Sequence, residues 1–300
     1  MTMPRQLLPG STYLVSRRCS ERRFFLRPDN FVGQVFLYVL GCAAALLGVH
    51  LHVATILSNH YHMCVTDTRG WLPRLLAQLH RLVALVVKAE RGIAENVWST
   101  HKTSIVRLET PDDVLAAMVY VRTNAVRAGL VERARDWPGL STAPRQLLEP
   151  AMRVSRPTTY FSPHGKKPAD TTVALTVPPG FEHMTPEEFV ELFEARVAAE
   201  EAEQARKRAA EGRKVLGVKA IMAQNWWDAP STPAPKGNLN PHIKAGDKTV
   251  RLAALNRRRK FLMDYRKAFA RWLNGHRRTR FPAGTYMLAQ VFRVRTHSPP

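Results

Sequence analysis

Acidic side chains are scarce in this sequence: 24 Asp and Glu stand against 45 Lys and Arg in 300 residues, a formal charge of +21. That imbalance points to a polyanionic partner, nucleic acid ahead of a membrane surface. Cysteine is scarce too. Cys19, Cys42 and Cys64 are odd in number and form no C-x-x-C pair. This excludes a disulfide framework and suggests reduced thiols in a cytoplasmic, nucleoid-associated protein. Long apolar runs are lacking. The strongest, residues 35–49, is fifteen residues long, short of the ~20 a membrane-spanning helix needs, so it reads as a buried helix and no membrane partner is expected. No strong apolar run precedes it, and no secretory leader is expected.

What is present is unevenly spread. Residues 1–145 carry 18 basic and 10 acidic side chains, residues 146–243 carry 12 of each, and residues 244–300 carry 15 basic and 2 acidic. The sequence divides accordingly into a catalytic-looking domain (1–145), a Pro-rich linker with a helix at about 185–214 (146–243) and a basic helical extension (244–300) that suits DNA.

The chemistry concentrates in Ile56-Leu57-Ser58-Asn59-His60-Tyr61-His62-Met63-Cys64-Val65, which reads as a strand. Side chains alternate along a strand, so His60 and His62 share one face with Cys64 while Tyr61 and Met63 take the other. Two imidazoles so placed can hold one divalent metal. A His-His-Cys zinc site lacks an obvious fourth ligand. Further on, Thr110-Pro111-Asp112-Asp113 opens a helix: threonine as N-cap, proline at the first position, acids in the first turn. Tyr120 and Asn124 then lie one turn apart on one face. If that face meets the histidine strand, Asn124 could supply a third ligand, an oxygen, and Tyr120 would set its phenol beside the metal.

His60-Tyr61-His62 followed by Tyr120-x-x-x-Asn124 and Ala128-Gly129-Leu130-Val131 resembles the single-tyrosine HUH transposases, in particular the REP-associated tyrosine transposases. The resemblance spans roughly residues 11–142 and includes Val97-Trp98-Ser99 and Asp136-Trp137-Pro138-Gly139; Arg122 and Ala125 depart from the family's pattern. The element pattern is that of an α+β fold, a small antiparallel sheet with helices packed on it, followed by a mostly helical basic extension; the resemblance implies the ferredoxin-like HUH palm, related to the split βαβ arrangement. It also implies a metal-dependent endonuclease and transposase acting on single-stranded or hairpin DNA. Tyr120 would be the nucleophile and form a 5′-phosphotyrosine; His60, His62 and Asn124 would hold Mg²⁺ or Mn²⁺. A phenol ionises only near pH 10, so such a reaction needs help at the phosphate. Two other classes stay open: a non-cleaving repressor or repeat-binding protein on the same fold, and a nuclease that uses water. Monomer and homodimer also stay open.

Arg17 and Arg18 in an opening strand, Arg122 and Arg127 beside the tyrosine, and Arg257, Arg258, Arg259 and Lys260 in the last helix are the expected DNA contacts. His50 and His52 read as structural. Asp29 or Asn30 is expected to cap a helix reaching Leu47, and residues 72–92 form an amphipathic helix with a basic outer face. Residues 144–179 read as an irregular arm. Asn225-Trp226-Trp227-Asp228, leading into the prolines up to Pro235, suits either base stacking or anchoring of that arm.

Overall fold

The computed structural model describes residues 4–29, 31–101, 103–232 and 241–298. Asn30 and the prolines at 233 and 235 lie outside them.

The molecule is an α+β fold built on a five-stranded, mostly antiparallel sheet in the order β2-β3-β1-β4-β7. Its strands are β1 (Ser11–Arg18), β2 (Val49–Leu57), β3 (His60–Asp67), β4 (Ser104–Leu108) and β7 (Ile243–Lys244). The expected single strand over residues 56–65 is two: Leu57 pairs with His60 across a tight Ser58-Asn59 turn. Asn59, which favours turns, ends β2 and places the histidines at the very start of β3.

Side-chain alternation gives the sheet two apolar faces. On one, Tyr13, Val15, Tyr61, Met63 and Val65 pack under α1 (Val32–Leu47) and α2 (Leu72–Arg91). α1 is apolar over most of its surface because a hairpin of β5 (Met152–Ser155) and β6 (Asp170–Val173) covers its outer side. The arm expected to be irregular therefore contains a strand pair. Asp29 Oδ1 accepts from the Val32 amide at the start of α1 (3.0 Å). The start of α2 depends on Asp67, wholly buried, whose carboxylate accepts from the Trp71 and Leu72 amides at 2.9 and 2.8 Å. Both helices end on a left-handed glycine, Gly48 and Gly92, the usual way to satisfy the last carbonyls.

On the other face Val53, Cys64 and Leu108 pack under α3 (Pro111–Arg122) and α5 (Pro186–Ala210). Both helices open with capping boxes, at Thr110, read in the sequence as an N-cap, and at Thr185. α3 does not run on through Asn124. It breaks at Thr123, whose hydroxyl donates to the Val119 carbonyl (2.8 Å), a bond known to bend helices. A short α4 (Asn124–Arg127) follows.

The C-terminal part joins the sheet edge. β7 pairs in parallel with β4, the Gly246 amide donates to Asp113 Oδ1 (2.8 Å), and α7 (Lys248–Leu273) follows. β8 (Arg280–Phe281), α8 (Met287–Phe292) and β9 (Arg295–Thr296) complete the helical end. The Gly284 carbonyl accepts from the Leu7 amide (3.1 Å), tying this end to the N-terminal segment. A last element, α6 (Val218–Ala223), buries Ile221 beside Leu57 and Trp137. Among the described residues no helix is long and apolar enough to cross a membrane.

Candidate active site

β3 and the α3–α4 bend bring four of the sequence-predicted residues together. The rings of His60 and His62 lie edge to face, centroids 4.8 Å apart, and the His62 and Tyr120 rings do the same at 5.2 Å. Asn124 Oδ1 lies 3.3 Å from His60 Nε2. The helix break at Thr123 decides this, because it turns Asn124 inward, where it is 6% exposed, while Tyr120 stays half-buried.

The hydrogen bonds around His60 set its tautomer. Asn59 Nδ2 donates to the Arg22 carbonyl (3.2 Å), which turns the amide oxygen of Asn59 toward His60 Nδ1 at 2.5 Å. Nδ1 therefore carries the proton, and the Nε2 lone pair faces the Asn124 oxygen. Two acceptors meet with no hydrogen between them. His62 adds a buried Nδ1 with no hydrogen-bond partner. Two neutral imidazoles and one amide oxygen are a donor set that could hold a divalent cation. Both rings are held neutral. Burial first, then the charge of Arg18, pushes His60 down to about 4; burial, His60 and Arg18 push His62 well below the usual histidine range. A ligand histidine must be unprotonated. Among the described residues no group of three or more His, Cys, Asp and Glu could hold a metal, in keeping with a set whose third member is an asparagine. Cys64 sits deeper, in the apolar layer under α3, its thiol pushed up to about 12 by burial.

The arginines part company. Arg18, opposite His60 on β1, is exposed on the histidine face. Arg17, one residue earlier, lies on the other face by strand alternation, donating to Thr103 Oγ1 (2.7 Å) and His80 Nδ1 (3.3 Å). Half-buried there, it belongs to the packing behind the sheet. Arg122 also lies away from the histidine face. Two residues beyond Tyr120, it points to another side of α3, is 7% exposed, and donates to Ser141 Oγ (2.8 Å). Ser141 Oγ in turn meets Thr55 Oγ1 (2.9 Å), cross-strand from His62. Arg127 lies over the Tyr120 ring, 5.4 Å from its centroid, and pairs with Glu200. Arg257 is drawn to the nearly buried Glu109 at 2.6 Å, whereas Arg259 and Lys260 are exposed and Arg258 half-buried.

Sequence reading did not single out Asn59 as the residue that orients His60, nor Arg22, whose charge bears on His60 and whose left-handed backbone (φ 61°) presents the carbonyl to Asn59. The only signal was an asparagine at a turn immediately before the first histidine.

No protein-family model matches this chain, and no curated protein matches it in sequence. A solved structure is similar. It is described as a REP-associated tyrosine transposase bound to a REP hairpin, superposes with a TM-score of 0.41 at 16% identity, and covers 50% of this chain and 86% of that one. The likeness is confined to the course of the backbone over half of this chain.

Proposed function

We propose that this protein cuts and rejoins single strands of DNA through Tyr120. The observation that carries the reading is the convergence of Tyr120 and His62 at 5.2 Å with the facing acceptors of His60 and Asn124. In this reading the Tyr120 oxygen attacks a phosphorus of the strand and the bond from phosphorus to O3′ breaks. The strand's 5′ end is left on tyrosine and a 3′-hydroxyl leaves with a proton. The phosphodiester's energy is kept in the phosphotyrosine, so a second 3′-hydroxyl can rejoin the strand in the reverse step. Arg127 beside the ring sets a positive charge where the phosphate would approach. Mg²⁺ or Mn²⁺ held by His60, His62 and Asn124 supplies polarisation of a nonbridging phosphate oxygen. Arg18 lies on the same face and suits a neighbouring phosphate, and the strongly basic composition suits a DNA partner. Hairpin-bearing single strands are the substrate proposed, with residues 1–145 as the cutting unit and the basic residues after 244 as an arm on the flank.

Incubation with labelled single-stranded hairpin DNA and Mn²⁺, followed by a denaturing gel, tests this. A covalent adduct is expected, lost in Tyr120→Phe while binding by anisotropy persists. Free fragments without adduct would mean that water is the nucleophile; binding without product would mean a non-cleaving DNA-binding protein.

A further inference from the structure

Beside the histidine site lies a second feature that the cutting chemistry does not use. A cavity of about 410 Å³ is lined by Arg27, Asp29, Phe31, Glu90, Arg91, Tyr160 and Trp226. Its walls come from distant parts of the chain: the segment before α1, the end of α2, the arm after residue 144 and the tryptophan pair. Phe31 and Tyr160 are tilted aromatics 5.7 Å apart, and the Arg91 guanidinium stands 5.1 Å over the Phe31 ring.

The polar atoms here are unevenly satisfied. Asp29 already accepts from Arg91 (2.6 Å) and from the Val32 amide, and Glu90 accepts from the Tyr160 hydroxyl. The Nε donors of Arg27 and Arg91 are buried with no hydrogen-bond partner among the described residues, although the Arg91 side chain is only 4% exposed. Buried donors left unpaired are costly. Beside the Asp29 and Glu90 carboxylates, which already accept from Arg91 and Tyr160, the cavity offers aromatic faces and guanidinium groups, a combination that takes a base and its phosphate. Its volume is within the range of small-ligand pockets and admits one nucleotide but no duplex.

Its place gives it a use. The Leu26 amide donates to the Ser58 carbonyl (2.8 Å), Ser58 Oγ donates to Gln224 Oε1 (3.2 Å), and Arg27 donates to the Gln224 carbonyl (2.6 Å). The Ser58-Asn59 turn thus has His60 on one side and the cavity's Arg27 and Trp226 segments on the other. We infer that the cavity takes one unpaired nucleotide of the DNA strand next to the scissile phosphate, its base stacked against Tyr160 and Trp226 and its phosphate on Arg27 and Arg91. The inference rests on the proposed function for its substrate class and adds a positioning pocket to it.

The test uses the full chain and a single-stranded oligonucleotide carrying 5-iododeoxyuridine at successive positions around the cut. After irradiation, cross-links mapped by mass spectrometry are expected at Tyr160 or Trp226 from one or two positions only. Tyr160→Ala, on a half-buried site, should weaken oligonucleotide binding roughly tenfold, as loss of one stacked base does, with an unchanged melting temperature. Arg27→Gln should weaken it and flatten the salt dependence. Cross-links elsewhere with unchanged binding in both variants would overturn the inference. So would binding of free dAMP as tight as that of the oligonucleotide, which would make the cavity a mononucleotide site. An adduct at Tyr120 without these cross-links defeats the pocket alone; cross-links without an adduct defeat the cutting reaction alone.

Discussion

At the scale of single residues, the candidate site is held by groups that touch no substrate. Asn59 fixes the tautomer of His60 through a 2.5 Å contact. Loss of such an outer partner typically weakens a metal site 10- to 100-fold. Asn59→Ala should therefore lower Mn²⁺ affinity by that order in calorimetry while leaving the fold intact; unchanged affinity would remove Asn59 from the site. Two other histidines add to the response to acid. His52 is wholly buried between Thr66 Oγ1 and the Thr176 carbonyl, both at 2.7 Å. Burial holds it down at about 4, and burial with the Arg17 charge holds His80 down at about 3. Both folded values lie below the ordinary histidine value of 6.5, so the unfolded chain takes up protons that the folded chain refuses. Their contribution to stability is complete above pH 6.5 and lost as pH falls toward 3–4, by up to about 1.4 kcal/mol per pH unit and group. Melting temperatures between pH 7.5 and 4.5 should fall accordingly, and less steeply in His52→Gln; a flat profile would contradict this.

At the scale of elements, close approach matters more than propensity. Alanine is the better helix former by about 1 kcal/mol, yet a Cβ on Gly41 in α1 would stand 2.7 Å from Thr171 and 3.0 Å from the Thr172 carbonyl. Gly41→Ala should push the β5–β6 hairpin off α1 and destabilise by about 1–3 kcal/mol, the usual cost of overpacking. A raised melting temperature would show that the hairpin yields freely. The sequence pattern placed α1 and α2 within a few residues because apolar spacing and caps are local. It could not foresee the break at Thr123, which depends on one hydroxyl turning back to Val119. Nor could it foresee the β5–β6 pair, whose partner surface is α1.

At the scale of the whole molecule, the basic excess divides between structure and surface. Arg257 serves Glu109 at the sheet edge, so neutralising it would confuse binding with stability. Arg258, Arg259 and Lys260 carry no such ion pair among the described residues. Changing these three to Gln should flatten the log-log salt dependence of single-strand binding by about 2, at roughly 0.7 per phosphate, without changing cleavage of a saturating hairpin. An unchanged slope would take the arm off the DNA. Removing the chain after residue 243 is a poorer test, since β7 crosses that point and completes the edge of β4.

The sequence alone determined the basic excess, the helix starts at Thr110 and Thr185, and the pairing of His60 with His62, because charge, caps and strand alternation are read within a few residues. Only the tertiary structure decided that Asn124 meets His60, that Arg17 and Arg122 turn inward while Arg18 does not, and that distant aromatics and two arginines enclose a cavity behind the histidine turn. Those outcomes depend on which faces meet across the sheet, and no spacing along one strand or helix records that.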